Sequence, residues 1–89
     1  MKKLSTKVRI VNNLGLHARA AAKFVKLASG FSSEVFLRHG HEKVNAKSIM
    51  SILMLAAGKG TELTLEVHGA DQEKAFGALK KLVEDGFGE

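Results

Sequence analysis

The run Thr61-Glu62-Leu63-Thr64-Leu65-Glu66-Val67-His68 alternates polar and apolar residues without a break. Successive side chains of a strand point to opposite faces. Leu63, Leu65 and Val67 are therefore expected to face a core, and Glu62, Thr64 and Glu66 to face away from it. His68 falls on the outward side. Leu4 to Val11 repeats the pattern, with Thr6, Val8 and Ile10 on one side and Lys7 and Arg9 on the other. Two strands with one apolar face each fit an antiparallel sheet covered on one side only.

The cover must come from helices. After the strand, Gly69-Ala70-Asp71 opens a segment in which Ala75, Leu79, Leu82 and Val83 fall on one stripe. Lys74, Lys80, Lys81 and Glu84 lie outside that stripe, Asp71 is expected as the N-cap, and Gly86 ends the helix. Nearer the start, Ala18 to Ala28 is rich in strong helix formers, with Ala20, Phe24, Leu27 and Ala28 on one stripe and Gly30 as the stop. Between these helices, Glu34 to Arg38 reads as a short strand. His39-Gly40-His41 reads as a hairpin turn and Lys43-Val44-Asn45 as the return strand. Ser48 heads the apolar run Ile49 to Leu55 as an N-cap, and Gly58 and Gly60 stop it. The order is strand, helix, strand, strand, helix, strand, helix, which is an α+β arrangement.

The chain has 89 residues, 45% of them hydrophobic and 26% charged. That is the size and composition of a single folded domain over residues 1–89. It contains no cysteine, so neither disulfides nor thiolate metal sites support the fold. No apolar stretch is long enough for a signal peptide or a membrane span. The expectation is a complete, cytoplasmic chain without a membrane partner. The net charge of +5 favours acidic partners. However, the basic residues are scattered, and Trp and Tyr are absent, which argues against a nucleic-acid-binding domain. His39 and His41 flank a turn without a carboxylate or thiolate beside them, a poor metal set. Together with His68 they are expected to be surface residues. No metal and no cofactor is expected.

The sharpest local feature is Gly15-Leu16-His17-Ala18-Arg19, a histidine where a turn meets a helix. The first N–H groups of a helix lack intrahelical partners, and the helix dipole adds positive potential there. Such an end can receive an anion. A neutral imidazole keeps a nucleophilic nitrogen, and Arg19 could hold phosphoryl oxygens. Spacing alone favours the plainer reading, with His17 an exposed cap and Arg19 an ordinary surface charge.

Two blocks resolve this by resemblance. Asn13-Leu14-Gly15-Leu16-His17-Ala18-Arg19 with Ala21 resembles the active-site signature of the HPr family, the histidine phosphocarriers of the bacterial phosphoenolpyruvate-dependent phosphotransferase system. Ala46 to Gly60 resembles the family's serine-containing second motif, at matching spacing. The resemblance covers nearly the whole chain. It implies an open-faced β-sandwich: a four-stranded antiparallel sheet with three helices on one face. It also implies that His17 accepts a phosphoryl group from Enzyme I and passes it to enzyme IIA domains, with Arg19 assisting. Such a carrier is no enzyme in its own right and is expected to be a monomer. Ser48 matches the serine phosphorylated by an ATP-dependent HPr kinase in some bacteria, where it can promote binding to a transcription regulator. Ala20 stands where the family usually has proline.

Leu14, the Gly30-Phe31 to Glu34-Val35 stretch, Leu53-Met54-Leu55 and Gly86-Phe87 look closer to the nitrogen-related branch of the family. Ala46 to Met50 looks closer to the sugar-transport branch. The alternative function is accordingly a regulatory phosphoprotein of a nitrogen-related or incomplete phosphotransferase system, acting mainly through protein contacts. Ile49, Met50, Leu53 and Met54 make the second helix unusually apolar for a short one. Ile52 and Leu55 are expected inward. Ile49, Met50 and Leu53 are expected outward, as a docking patch beside His17.

Overall fold

A computed structural model describes residues 2–89. The elements follow the order β1 (Leu4–Arg9), α1 (Ala18–Ser29), β2 (Glu34–His39), β3 (Glu42–Asn45), α2 (Ile49–Leu53), β4 (Glu62–His68) and α3 (Gln72–Glu84), with a 3-10 turn at Gly86–Gly88. The four strands form one sheet in the order β1-β4-β2-β3, every pair antiparallel. This is the α+β, open-faced sandwich that the resemblance implies, and it agrees with the one apolar face of each alternating strand. The alternation fixes its register: Val8 pairs with Leu63, Thr6 with Leu65, and Leu65 with Leu37, so the apolar residues of neighbouring strands share one face.

Val8, Ile10, Val35, Leu37, Leu63, Leu65 and Val67 supply the sheet's half of the core. Ala20, Phe24, Ile52, Leu79 and Val83 supply much of the helical half. Phe24 is fully buried, so Phe24→Ala would cost about 3–5 kcal/mol. Phe87, beyond the last helix, is buried in the same core although its φ is +60°. The burial of a large aromatic ring offsets a backbone conformation that L-residues disfavour.

The structure corrects several details. The second helix is shorter than its apolar run, because the chain turns after Leu53 and Ala56 takes a φ of +50°. Leu53 is not an outward residue: it is half-buried and packs against the core. Met54, one position on, takes the exposed place instead. Glu66 lies on the open face of the sheet as its register demands, yet it is buried there. Lys3, Arg38 and Lys43 close over its carboxylate at 3.2, 3.2 and 3.0 Å. Burial alone would raise its pKa; the hydrogen bonds and charges of Lys43 and Lys3 outweigh that and lower it.

Asp71 occupies the N-cap position of α3 but does not cap it. Its carboxylate instead accepts hydrogen bonds from the Ser33 hydroxyl and from the backbone N–H groups of Ser32 and Ser33. The Ser33 hydroxyl, then the Ser32 N–H, hold its pKa down at about 2. Asp71 thus ties the loop before β2 to the start of α3. His39, His41 and His68 are exposed. Among the described residues no helix is long and apolar enough to cross a membrane, and no cluster of three or more His, Cys, Asp or Glu could hold a metal ion.

Candidate functional site

The turn from β1 into α1 is shaped by one glycine. Gly15 has a φ of +67°, and a Cβ on it would meet the Ala57 carbonyl oxygen at 2.7 Å and the Gly58 Cα at 2.8 Å. Only glycine lets the loop before α1 close on the loop after α2. The Leu16 N–H donates to the Ala57 oxygen at 2.8 Å, and Lys59 Nζ reaches Asn13 Oδ1 at 3.0 Å. These contacts hold the residues before His17 against the end of the second motif, just after α2.

His17 is the N-cap of α1, in extended geometry. Its carbonyl accepts from the Ala21 N–H at 2.8 Å, and its Nδ1 accepts from the Arg19 N–H at 3.3 Å. The Ala18 and Ala20 N–H groups have no acceptor among the described residues. The imidazole therefore sits at a helix end with donors to spare. Arg19 is exposed.

The other ring nitrogen is taken. His17 Nε2 lies 2.7 Å from Glu89 Oε2. Since Nδ1 is an acceptor, the ring proton belongs on Nε2, where it donates to the carboxylate. Glu89 Oε1 accepts from Asn12 Nδ2 at 3.2 Å. Burial raises the pKa of Glu89, but the Asn12 and His17 hydrogen bonds and the Arg19 charge outweigh it and lower it.

Glu89 reaches His17 because the tail is anchored. Buried Phe87 is the plug, Lys23 Nζ donates to its carbonyl at 2.8 Å, and left-handed conformations from Gly86 to Gly88 bend the chain back over α1. Neither Asn12 nor Glu89 was legible as part of the site. The one local hint is an aromatic residue between two glycines after the last helix, a pattern that anchors a tail.

Ser48 is the N-cap of α2, its Oγ accepting from the Ser51 N–H at 3.3 Å. It is half-buried, and its helix packs against α1. Met50 and Met54 are 72% and 67% exposed, and Ile49 is exposed as well. Leu14, on the loop before His17, is 68% exposed. The structure thus leaves Ile49 and Met50 on the surface as expected and removes Leu53 from it.

Fold and site together define a small α+β protein that presents a histidine at a helix N-terminus, one nitrogen tethered to a carboxylate and the other accepting from the Arg19 N–H. A family model described as the phosphorylation site of the HPr component of the phosphotransferase system matches residues 4–85. The phosphocarrier protein HPr of Neisseria meningitidis serogroup A is 50% identical over 86 residues, 97% of each chain. The crystal structure of HPr from Thermoanaerobacter tengcongensis is similar with a TM-score of 0.90 at 46% identity, covering 100% of this chain and 98% of that one. A crystal structure of an HPr dimer from the same organism is similar with a TM-score of 0.78 at 47% identity, covering the whole of both chains. The chain belongs to the HPr family of phosphocarriers.

Proposed function

We propose that this chain is a stoichiometric phosphoryl carrier in the cytoplasm, accepting a phosphoryl group from Enzyme I on Nδ1 of His17 and passing it to enzyme IIA domains. The observation that carries this reading is the division of labour on the imidazole. Nε2 is bound to the Glu89 carboxylate at 2.7 Å, so the nucleophilic lone pair is on Nδ1, at the helix end.

In the transfer a P–N bond forms at Nδ1 while the bond from phosphorus to Enzyme I breaks. The ring then carries a positive charge with its proton still on Nε2, opposite the Glu89 carboxylate. The Arg19 N–H, released from Nδ1, and the unpartnered first-turn N–H groups become donors to the phosphoryl oxygens. The exposed Arg19 guanidinium adds a charge-assisted contact. A phosphate on nitrogen is readily passed on, so the site is a relay. The chain acts as a monomer and is regenerated by its partner enzymes.

Ile49 and Met50 form the apolar part of the docking surface, and exposed methionine suits a surface that must fit more than one partner. Ser48 is the regulatory site, open to an HPr kinase, and its phosphorylated form to a transcription regulator. Incubation with Enzyme I and phosphoenolpyruvate tests the central reading. One acid-labile, base-stable phosphate per chain is expected; no incorporation contradicts it.

A further inference from the structure

We propose that Asn12 is a positioning residue for His17, acting through Glu89 to set which imidazole nitrogen carries the proton. The proposal rests on the phosphocarrier reading for its purpose but not for its geometry.

Asn12 follows the end of β1 and is only 7% exposed, one of the few buried polar residues. Its Nδ2 donates to two acceptors, the Gly15 carbonyl oxygen at 2.7 Å and Glu89 Oε1 at 3.2 Å. Its Oδ1 is buried without a hydrogen-bond partner among the described residues. The two acceptors fix the orientation of the amide, because the flipped form would set oxygen against both. A buried acceptor left unpaired is unfavourable. An apolar residue would avoid that penalty but could not bridge the two oxygens.

The bridge joins two segments far apart in sequence. Gly15 belongs to the loop that delivers His17. Glu89 is on the tail, and its second oxygen takes His17 Nε2. Asn12 thus references the carboxylate to the loop that carries the histidine. With the carboxylate held, the proton stays on Nε2 and the lone pair on Nδ1. Among the described residues the hydrogen bonds of Asn12 go to Gly15 and Glu89 and not to the ring, so its effect on the imidazole is indirect.

The test is the tautomer of His17, read from the ring nitrogen shifts by NMR at a pH where the imidazole is neutral. Wild type should show the Nε2–H form as the dominant species. Asn12→Asp keeps the shape but presents only acceptors to Gly15 and Glu89, and should drive the carboxylate away. Asn12→Ala removes the bridge without repulsion and covers the case in which the aspartate variant fails to fold. Both should move the His17 nitrogen shifts toward a tautomer mixture, as Glu89→Ala should. Adding Glu89→Ala to Asn12→Ala should change nothing further. Ring shifts that stay at wild-type values in a folded Asn12 variant, while Glu89→Ala moves them, overturn the proposal. So do additive effects in the double variant. Phosphorylation by Enzyme I and phosphoenolpyruvate, measured on the same samples, separates the two claims. A wild type that takes no phosphate overturns the carrier reading and leaves the tautomer result to decide the role of Asn12.

Discussion

Glu89 Oε2 stands 2.7 Å from His17 Nε2, across 72 positions of sequence, and so blocks one nitrogen of the imidazole while orienting the other. The contact pairs a carboxylate with the ring proton, and its strength depends on the carboxylate being charged. The pKa of Glu89 is lowered in the folded chain, after the opposing effect of burial, by Asn12, His17 and Arg19. The contact is therefore intact above the ordinary carboxyl range and is lost as the pH falls through the lowered value. Glu89→Ala should slow phosphorylation of His17 by about tenfold. Stopped-flow transfer from phospho-Enzyme I measures it; an unchanged rate would leave Glu89 a bystander.

Met50 is the apolar residue most exposed on α2. Met50→Glu should shift stability by no more than about 0.5 kcal/mol, as surface substitutions do. It should weaken binding to Enzyme I by about tenfold or more if the residue is central to the interface. Calorimetric titration and a melting curve on the same variant check both halves. A large drop in Tm with unchanged affinity would place Met50 outside the docking surface.

Ser48→Asp keeps the cap on α2, because aspartate accepts from the same N–H about as well as serine. It adds a charge beside the apolar surface of Ile49 and Met50. Transfer from Enzyme I should slow while Tm stays close to wild type. The phosphoserine form should slow it further, since it carries more charge. Wild-type kinetics in both forms would leave Ser48 as a cap only.

Ala20 is in the first turn of α1, and its N–H has no acceptor among the described residues. Proline there removes no hydrogen bond and restricts the unfolded chain, worth about 0.4–1 kcal/mol. Ala20→Pro should raise Tm by about 2–6 °C and still accept phosphate. A clear fall in Tm would mean that the fully buried site cannot take the larger ring.

The strands were legible because their period of two is local: Leu63, Leu65 and Val67 declare one face without reference to the rest of the chain. His17 and Arg19 stood out as a local pair two residues apart in one turn, but that spacing left them a plain cap and a surface charge until the resemblance of the two blocks assigned their roles. What escaped was set by partners distant in sequence. Glu66 reads as a solvated carboxylate until Lys3, Arg38 and Lys43 close over it. Asp71 reads as a cap until Ser32 and Ser33, 39 and 38 positions earlier, claim its oxygens. Leu53, expected outward, packs against the core, and Met54, which had no assigned face, is exposed, because α2 stops at Leu53, which a continuous apolar run does not announce. Asn12 and Glu89 reach the site only through the bent tail behind Phe87, a tertiary feature with no local period.

The central claim is that phosphate is carried on the His17 nitrogen remote from Glu89. It is tested most directly by phosphorylating chain labelled with ¹⁵N at histidine and mapping the P–N bond by ³¹P–¹⁵N correlation. The account predicts a single phosphate on Nδ1 of His17, and none in His17→Ala. A phosphate on Nε2, or on any other residue, would contradict it.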